Sequence, residues 1–311
     1  MKPLRIGTRG SKLALCQAEY IRARLLQEAG IESELVVIKT TGDQFVSAAL
    51  PQIGGKGVFI KEIEEAILGG RIDLAVHSMK DVPTAFCDVC RISIALKRED
   101  PRDCLISPDG QTLGKLRRGA RVGTSSVRRA SQLRNLRPDF EVVPLRGNVD
   151  TRLRKLDARE YDAIVVAKAG MERLQLSSRI TEVLPTDVML PAPGQGALGI
   201  EFFEADEDLY RPFLDRLEDP ATVRSVLCER ALQRELQGGC TIPLGAWARI
   251  DNGKMELDAR VLSADGTECI HRHARGAPEE AEQLGRDLAR ELLDAGADRL
   301  LRLAGRGVGG G

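Results

Sequence analysis

The stretch that decides the fold covers residues 72–84 and reads IDLAVHSMKDVPT. Its first five residues are mostly apolar and predict a buried strand of a parallel sheet. A polar cluster with Lys80 and Asp81 follows, and Pro83 marks the end of regular structure. Ligands of open α/β sheets bind at the carboxyl ends of the strands. We therefore expect Lys80 and Asp81 at the mouth of a ligand-binding cleft; the alternative is a solvated loop after a strand.

Strands and helices alternate upstream of this stretch. Residues 5–8 and 35–38 predict two further strands, and the helix between them begins after Ser11, its N-cap, and ends at Gly30. A second helix with apolar residues at helical spacing ends at Gly69. The order strand, helix, strand, helix, strand is typical of a parallel sheet.

The loop between the second strand and the second helix is rich in glycine. It covers residues 43–57 and contains Gly-Gly-Lys-Gly, in which the lysine is Lys56. Glycine permits backbone conformations that other residues avoid and allows close contact with a ligand. The composition therefore predicts either mobility or a close approach of this loop to a ligand.

The same pattern recurs further along the chain. Residues 121–124, RVGT, repeat the RIGT of residues 5–8, and each is followed by a serine and a predicted helix. Residues 141–148 and 162–168 match the second and third strands with their polar ends. We interpret this as a weak internal repeat that predicts two α/β lobes of like topology with a cleft between their strand ends; chance similarity of short strand sequences is the alternative.

The segment of residues 191–199, PAPGQGALG, contains a literal G-x-G-x-x-G. A dinucleotide-binding fingerprint must follow a strand and open a helix. This segment instead follows Pro-Ala-Pro and leads into residues 200–203, which predict a strand. We therefore reject the fingerprint and interpret the segment as a crossover, with the strand rejoining the first lobe and lobe motion about the crossover as a hypothesis.

The remainder of the chain predicts a small α+β domain. A helix around Val223–Ala231 precedes strands at residues 242–250, 255–261 and 267–274, and a last helix has apolar residues from Ala281 to Ala295. The glycine-rich tail from Gly305 is expected to fray. We predict three domains, with residues 1–97 and 197–217 in the first, 98–196 in the second and 218–311 in the third.

Composition excludes several classes of protein. The chain has 311 residues, is 42% hydrophobic and carries a formal net charge of zero, which argues against disorder and against a general nucleic-acid-binding surface. Arginine supplies 35 of the 46 basic residues, and composition bias explains their number, so only their positions are informative. Without a signal-peptide pattern or a membrane-spanning run, we expect a cytoplasmic protein.

Basic and hydroxyl side chains cluster at the predicted strand-to-helix turns. A helix N-terminus offers unpaired N–H groups, and arginine adds forked donors suited to carboxylate or phosphate. Basic residues at a helix start oppose the helix dipole, so an anionic ligand would explain them; solvated arginines in an arginine-rich chain are the alternative. The clusters are Thr8–Ser11, Thr124–Arg129, Arg146–Asn148 with Arg152, and Lys168 with Arg173.

Cysteine and histidine give little support to metal or redox chemistry. The seven cysteines are scattered and form no disulfide framework. Cys87 and Cys90 form a C-x-x-C, but no second pair completes a zinc site and no helix start follows, so we interpret the pair as incidental. Cys240 lies after a double glycine, and such a thiol is more often a small buried hydrophobe than a nucleophile. We expect no metal site.

Five sequence segments together closely resemble the porphobilinogen deaminase family. They occur in the family's order over nearly the whole chain: residues 76–84, 122–129, 145–153, 191–201 and 229–240. The resemblance implies three domains, of which the first two are similar to type II periplasmic binding proteins. It also implies stepwise joining of four porphobilinogen units into hydroxymethylbilane with loss of ammonia, by a monomer that needs no nucleic acid and no membrane.

The resemblance also implies a cofactor and a set of site residues. The family's cofactor is a dipyrromethane, held by a thioether on the cysteine that matches Cys240. Asp81 matches the catalytic aspartate, which we expect to be buried and which stabilises positive charge on the substrate, with Lys80 beside it. Lys56 lies in the loop that covers the site. The positions that bind acetate and propionate side chains are Arg9, Ser11, Lys80, Ser126, Arg128, Arg129, Arg146, Arg152 and Arg173.

Two segments depart from the family's pattern. Residues 85–91, AFCDVCR, stand where a Pro-Glu-Gly-like turn is usual, so we expect this loop to differ in local shape from the family's. Asp150 stands where glycine is common, and an acid is favourable at a helix start. Two other functions remain open: a two-lobed receptor for an organic anion, and a nucleotide- or nucleic-acid-binding protein, for which we find no phosphate loop or basic face.

Overall fold

A computed structural model describes residues 2–40, 60–84, 87–236 and 242–306. The chain divides into two compact units, Met1–Glu99 with Ala197–Val223 and Asp100–Gly196 with Arg224–Gly311. The second unit contains two separate sheets. The predicted division into three domains with the boundaries given above stays a prediction.

The first unit is built on a five-stranded sheet with helices beside it. Its elements in chain order are β1 Leu4–Thr8, α1 Lys12–Ala29, β2 Ser33–Val37, α2 Lys61–Leu68, β3 Leu74–Ser78, β4 Cys90–Ala95, β10 Leu198–Phe203 and α6 Glu207–Leu214. The strand order is β2-β1-β3-β10-β4. Strand β1 is parallel to β2 and β3, whereas β10 is antiparallel to β3 and β4. The predicted return of residues 200–203 to the first lobe is confirmed.

Apolar side chains form two core clusters in this unit. One includes Ile21 and Leu25 of α1 with Leu74 and Ile200 of the sheet. The other includes Ile63 of α2 together with Ile72, Ala75 and Cys90. Helices α1 and α2 therefore bury their apolar faces in separate clusters that both include sheet residues, which is the layered arrangement that the strand–helix alternation predicts.

The second unit repeats this sheet pattern. Its first set of elements is β5 Asp103–Ile106, β6 Arg121–Gly123, α3 Val127–Leu136, β7 Glu141–Val143, α4 Val149–Asp157, β8 Ala163–Ala167, α5 Lys168–Arg173 and β9 Glu182–Val183. The strand order is β7-β6-β8-β5-β9, with β6 parallel to β7 and β8 and with β5 antiparallel to β8 and β9. The two sheets share their order and strand directions, which confirms the predicted lobes of like topology.

The third sheet is the small α+β part of the chain. Its elements are α7 Pro220–Glu235, β11 Leu244–Asp251, β12 Lys254–Leu262, β13 Cys269–Gly276, α8 Ala281–Asp294 and α9 Ala297–Arg306. The three strands are antiparallel in the order β11-β12-β13. Leu257 and Val261 of β12 pack with Leu232 of α7 and Leu288 of α8. The alternation in residues 255–261 correctly predicted the half-buried strand.

Some local structure differs from the expectations. Helix α9 continues through Arg306, so the chain is helical at Gly305, the first residue of the tail that we expected to fray, while residues 307–311 of that tail lie outside the described residues. Strands β4 and β5 were not predicted. No helix within residues 2–40, 60–84, 87–236 and 242–306 combines the length and apolar character needed to cross a bilayer.

Candidate cofactor and substrate site

Strand β3 leads directly into the 3₁₀ turn Met79–Asp81, which carries Lys80 and Asp81. Met79 anchors the turn, because its side chain is buried and its backbone N–H donates to the carbonyl of Ala197 at 3.0 Å. Lys80 is half-buried and Asp81 is exposed. The expectation of a buried Asp81 was therefore wrong: Met79 takes the buried position of the turn and leaves the carboxylate at the surface of this unit.

Arg9 and Ser11 occupy the turn after β1. Strands β1 and β3 are parallel neighbours, so this turn and the Lys80–Asp81 turn lie at the same edge of the sheet. Ser11 Oγ accepts the N–H of Ala14 at 3.3 Å, which confirms the predicted N-cap of α1. One contact was not predicted: Gln17 Nε2 of α1 donates to Ser78 Oγ at 2.8 Å and joins this helix to the end of β3.

The second unit presents an equivalent edge. Strands β6, β7 and β8 are parallel, so the turns that follow them lie on one side of their sheet. Ser126 is the N-cap of α3, and its Oγ accepts the N–H of Arg129 at 3.4 Å. Arg146 follows β7 and is exposed, whereas Lys168 follows β8 and pairs with Asp100 and Glu172. The repeat in the sequence therefore placed these turns correctly.

Arg128 and Arg129 are both buried, and both donate hydrogen bonds to the same carboxylate, that of Asp103. Asp103 was not identified as a site residue from the sequence. Asp103, the first residue of β5, is fully buried and accepts from Arg128 Nη1 at 2.7 Å. Its other oxygen accepts from Arg129 Nε at 3.1 Å and Nη2 at 2.8 Å, and from Gln195 Nε2 at 2.9 Å. The sequence feature that could have identified Asp103 is an acid at the start of the otherwise apolar run DCLI.

The charges of this cluster do not cancel. Burial favours the neutral form of Asp103, but the charges and hydrogen bonds of Arg128 and Arg129 outweigh it and hold the pKa of this carboxyl below its usual value. Burial lowers the pKa of Arg128, and the charge of Asp103 opposes that shift. Two guanidinium groups and one carboxylate leave one net positive charge in a buried place. Such a place suits an anionic ligand.

Two further predicted arginines make contacts with backbone carbonyls of the same unit. Arg152 Nε donates to the carbonyl of Gly147 at 2.8 Å, and Arg173 Nη2 donates to the carbonyl of Gly196 at 2.7 Å. Gly147 has φ of 115° in the turn before α4, a conformation that favours glycine. Asn148 caps this helix by accepting the N–H of Thr151 at 2.9 Å.

Some predicted site residues cannot be placed. Lys56 and Cys240 lie outside the described residues. Of the other cysteines, Cys104 and Cys228 are buried, and burial raises the pKa of each thiol to about 12. We expected every cysteine other than Cys240 to be a small buried hydrophobe as well; burial of Cys104 and Cys228 agrees with this, whereas Cys269 is exposed and corrects it. Within the described ranges, no group of three or more His, Cys, Asp or Glu side chains is arranged to hold a metal ion.

Comparisons with known proteins agree on one family. Residues 4–211 match the family model "Porphobilinogen deaminase, dipyromethane cofactor binding domain", and residues 223–294 match "Porphobilinogen deaminase, C-terminal domain". A protein from Syntrophobacter fumaroxidans named porphobilinogen deaminase is 48% identical over 301 residues, which are 96% of each chain. One of the same name from Syntrophus aciditrophicus is 48% identical over 299 residues, covering 96% of this chain and 97% of that protein.

A solved structure of the periplasmic aliphatic sulphonate binding protein SsuA from Escherichia coli is a more distant likeness. It has a TM-score of 0.41 and 16% identity and covers 76% of this chain and 71% of that one. The two family models together cover most of the sequence, and the two relatives match it almost from end to end. The chain therefore belongs to the porphobilinogen deaminase family.

Proposed function

We propose that this chain is a porphobilinogen deaminase, a transferase that joins four porphobilinogen units head to tail and frees the product, hydroxymethylbilane, by hydrolysis. One ammonia leaves for each unit that is added. The observation that carries the proposal is the identity of 48% over 301 residues to a curated protein of that name. The site residues named below are part of the proposal, and the contacts that the described ones among them make within their own units support it.

The cofactor in this proposal is a dipyrromethane attached to Cys240 through a thioether. When bound, it supplies the primer to which substrate units are added. The fit of the described residues rests on the buried pair Arg128 and Arg129, whose single carboxylate partner leaves a positive charge for acidic side chains. Ser126 at the start of α3, and Lys80 and Asp81 after β3, complete the set that we assign to holding the cofactor.

Asp81 carries the central catalytic role. When ammonia leaves the aminomethyl arm of porphobilinogen, a C–N bond breaks and positive charge develops on the substrate. The Asp81 carboxylate stabilises that charge, accepts hydrogen bonds from pyrrole N–H groups and assists proton transfer. Lys80, on the same turn, places a cation beside the substrate's carboxylates. The new bond is a C–C bond to the free α-carbon of the terminal ring, which then loses its α-proton, so that one ammonia and one proton balance the loss of each protonated amino group.

Arginines and a serine bind the acidic side chains of the substrate and growing chain. Each pyrrole carries two carboxylates, so every added unit brings two further negative charges that need cationic partners. The exposed Arg146 and the half-buried Arg9 stand at strand ends, where such a chain can reach them. The substrate-binding set of the proposal is Arg9, Ser11, Arg146, Arg152, Arg173 and Lys56.

The test is an intact mass of the purified chain followed by peptide mapping. We expect an excess equal to two porphobilinogen units less two ammonias, located on Cys240. If the chain is unmodified, porphobilinogen is added and the mass is measured again. Failure of any adduct to form on Cys240 would overturn the proposal and leave an anion-binding protein. We also propose a cytoplasmic monomer, which sedimentation of the cofactor-carrying chain and cell fractionation would test.

A further inference from the structure

The structure assigns a positioning role to Asp103: it holds Arg128 and Arg129 so that the Nε–Nη2 edge of Arg128 is available to a carboxylate of the cofactor. This inference rests on the proposed function. Asp103 touches neither cofactor nor substrate in this role and acts only through the two arginines. Its four accepted hydrogen bonds, from Arg128, Arg129 and Gln195, have lengths between 2.7 and 3.1 Å.

The hydrogen bonds of Arg128 leave one edge of the guanidinium unused. Nη1 makes both of its contacts, to Asp103 Oδ2 at 2.7 Å and to the carbonyl of Leu190 at 2.6 Å. Nε and Nη2 donate to no other residue in the described part of the chain. These two nitrogens form the fork that binds a carboxylate through two parallel hydrogen bonds. Asp103 and Leu190 therefore fix one side of Arg128 and leave the fork side for a ligand.

Arg129 is held in the opposite way. Its Nε and Nη2 both donate to Asp103 Oδ1, and its Nη1 donates to the carbonyl of Val165 at 3.2 Å. The fork of Arg129 is thus occupied by Asp103 itself. Arg129 contributes its charge and fixes the carboxylate, while Arg128 presents the open edge. The two neighbouring arginines have different roles although the sequence does not distinguish them.

The location of the pair shows why a positioning carboxylate is needed. Arg128 and Arg129 stand in the first turn of α3, where the helix dipole is positive and opposes cations. Both side chains are buried, with 5% and 7% of their surface exposed. Asp103 neutralises one of the two charges and fixes the direction of both groups. The second positive charge is left for a ligand group with one negative charge, such as one carboxylate.

The test separates positioning from charge. Asp103→Asn removes the anchor and raises the net positive charge of the cluster by one. Charge alone would attract an acidic ligand more strongly and speed its capture, whereas lost positioning would slow it. We would follow the covalent mass gain of adduct-free full-length chain incubated with porphobilinogen. We expect a rate at least tenfold lower for Asp103→Asn and a rate within twofold of the parent for Asp139→Asn, which removes the ion pair with Arg137 in the same unit.

A second pair of variants guards against a folding defect. Arg129→Gln keeps the contact between Asp103 and Arg128. Arg129→Gln combined with Asp103→Asn removes the carboxylate of Asp103 and leaves the cluster with the same net charge as in the parent. We expect the combined variant to gain mass at least tenfold more slowly than Arg129→Gln. The inference would be overturned if a folded Asn variant gained mass at least as fast as its reference, which is the parent for Asp103→Asn and Arg129→Gln for the combined variant. Unfolding of both Asn variants would also overturn it, because Asp103 would then have a purely structural role. If the parent chain itself gains no mass, the proposed function fails instead.

Discussion

The side chain of Met79 fills the space that a Cβ on Gly199 would occupy. Met79 opens the turn that carries Lys80 and Asp81, and Gly199 lies on the neighbouring strand β10. A Cβ at Gly199 would overlap Met79 Sδ and would come within 2.9 Å of Ile92 Cγ2. The glycine therefore provides the notch in which the anchor of the Asp81 turn is seated.

Gly199→Ala should displace Met79 and with it Asp81. Overpacking of this kind costs about 1–3 kcal/mol of unfolding free energy. A small displacement of a catalytic group lowers turnover by about 10- to 100-fold. Denaturant unfolding and initial rates of the variant measure the two effects. Gly114→Ala is the control, since its Cβ would meet nothing within 4 Å. Equal effects in both variants would contradict the claim that Met79 depends on the space at Gly199.

His77 and Glu201 form a buried pair on the adjacent strands β3 and β10. His77 Nε2 lies 2.7 Å from Glu201 Oε2, and both side chains are less than 9% exposed. Removal of one partner leaves the other polar group buried without its hydrogen bond, which costs about 1–3 kcal/mol. Glu201→Ala should lower the unfolding free energy by that order. Glu19→Ala, which removes an exposed pair with Arg22, should cost less than about 1 kcal/mol.

The sequence predicted the parallel strands and their polar ends because these features are local. Residues 5–8, 72–76 and 121–124 carry apolar runs that end in polar residues, and strands form at or within two residues of all three. Strand β5 was missed because its signal is not local. Asp103 opens a strand of only four residues, and its burial depends on Arg128 and Arg129, which lie 25 and 26 positions further along the chain.

The exposure of Asp81 could not be predicted for a similar reason. The apolar run in residues 72–76 marks the strand, but which side chain of the following turn is buried depends on the notch at Gly199 in a distant segment. The N-caps Ser11 and Ser126 were predictable, since each cap bonds to an N–H three residues later. Sequence patterns thus gave the turns, and tertiary contacts decided the orientation of their side chains.

Asp100 should make the stability of the second unit sensitive to acid. Burial favours its neutral form, but hydrogen bonds from Arg102 and the charge of Lys168 outweigh this and lower its pKa from 3.8 to about 2. A carboxyl with a lower pKa in the folded chain stabilises the fold above its unfolded pKa, and this stabilisation is lost as the pH falls through the folded pKa. The loss should therefore occur between about pH 4 and about pH 2.

Asp100→Asn tests this link. At neutral pH the variant should have an unfolding free energy lower by about 1–2 kcal/mol, and the difference from the parent should shrink as the pH falls towards 2 and disappear below about pH 2. Denaturant unfolding over this pH range measures both curves. Asp251→Asn, at an exposed strand end, should change the unfolding free energy by less than about 0.5 kcal/mol. A difference for Asp100→Asn that persists at the acid end would contradict the assigned cause.

Arg146→Gln should stall elongation without affecting the fold. Arg146 is exposed, so its removal should change the unfolding free energy by less than about 0.5 kcal/mol. Loss of a charged hydrogen bond to a substrate carboxylate costs about 1.5–3 kcal/mol, or roughly 10- to 100-fold in rate. Intact masses during turnover should show chains that carry incomplete product. Arg154→Gln, an exposed arginine on α4, should elongate normally; undiminished product from Arg146→Gln would remove it from the substrate-binding set.

Asp81→Asn should nearly abolish turnover while the chain stays folded. The carboxylate is exposed in its turn, so the isosteric amide should leave the unfolding free energy within about 0.5 kcal/mol of the parent. The amide carries no charge and cannot stabilise the cation that forms when ammonia leaves, and loss of such stabilisation costs about 100-fold or more in rate. Asp88→Asn, an exposed acid before β4, is the matched control for both measurements. Turnover of Asp81→Asn close to that of the control would mean that the developing charge is stabilised elsewhere, and the catalytic assignment of this turn would then have to be withdrawn.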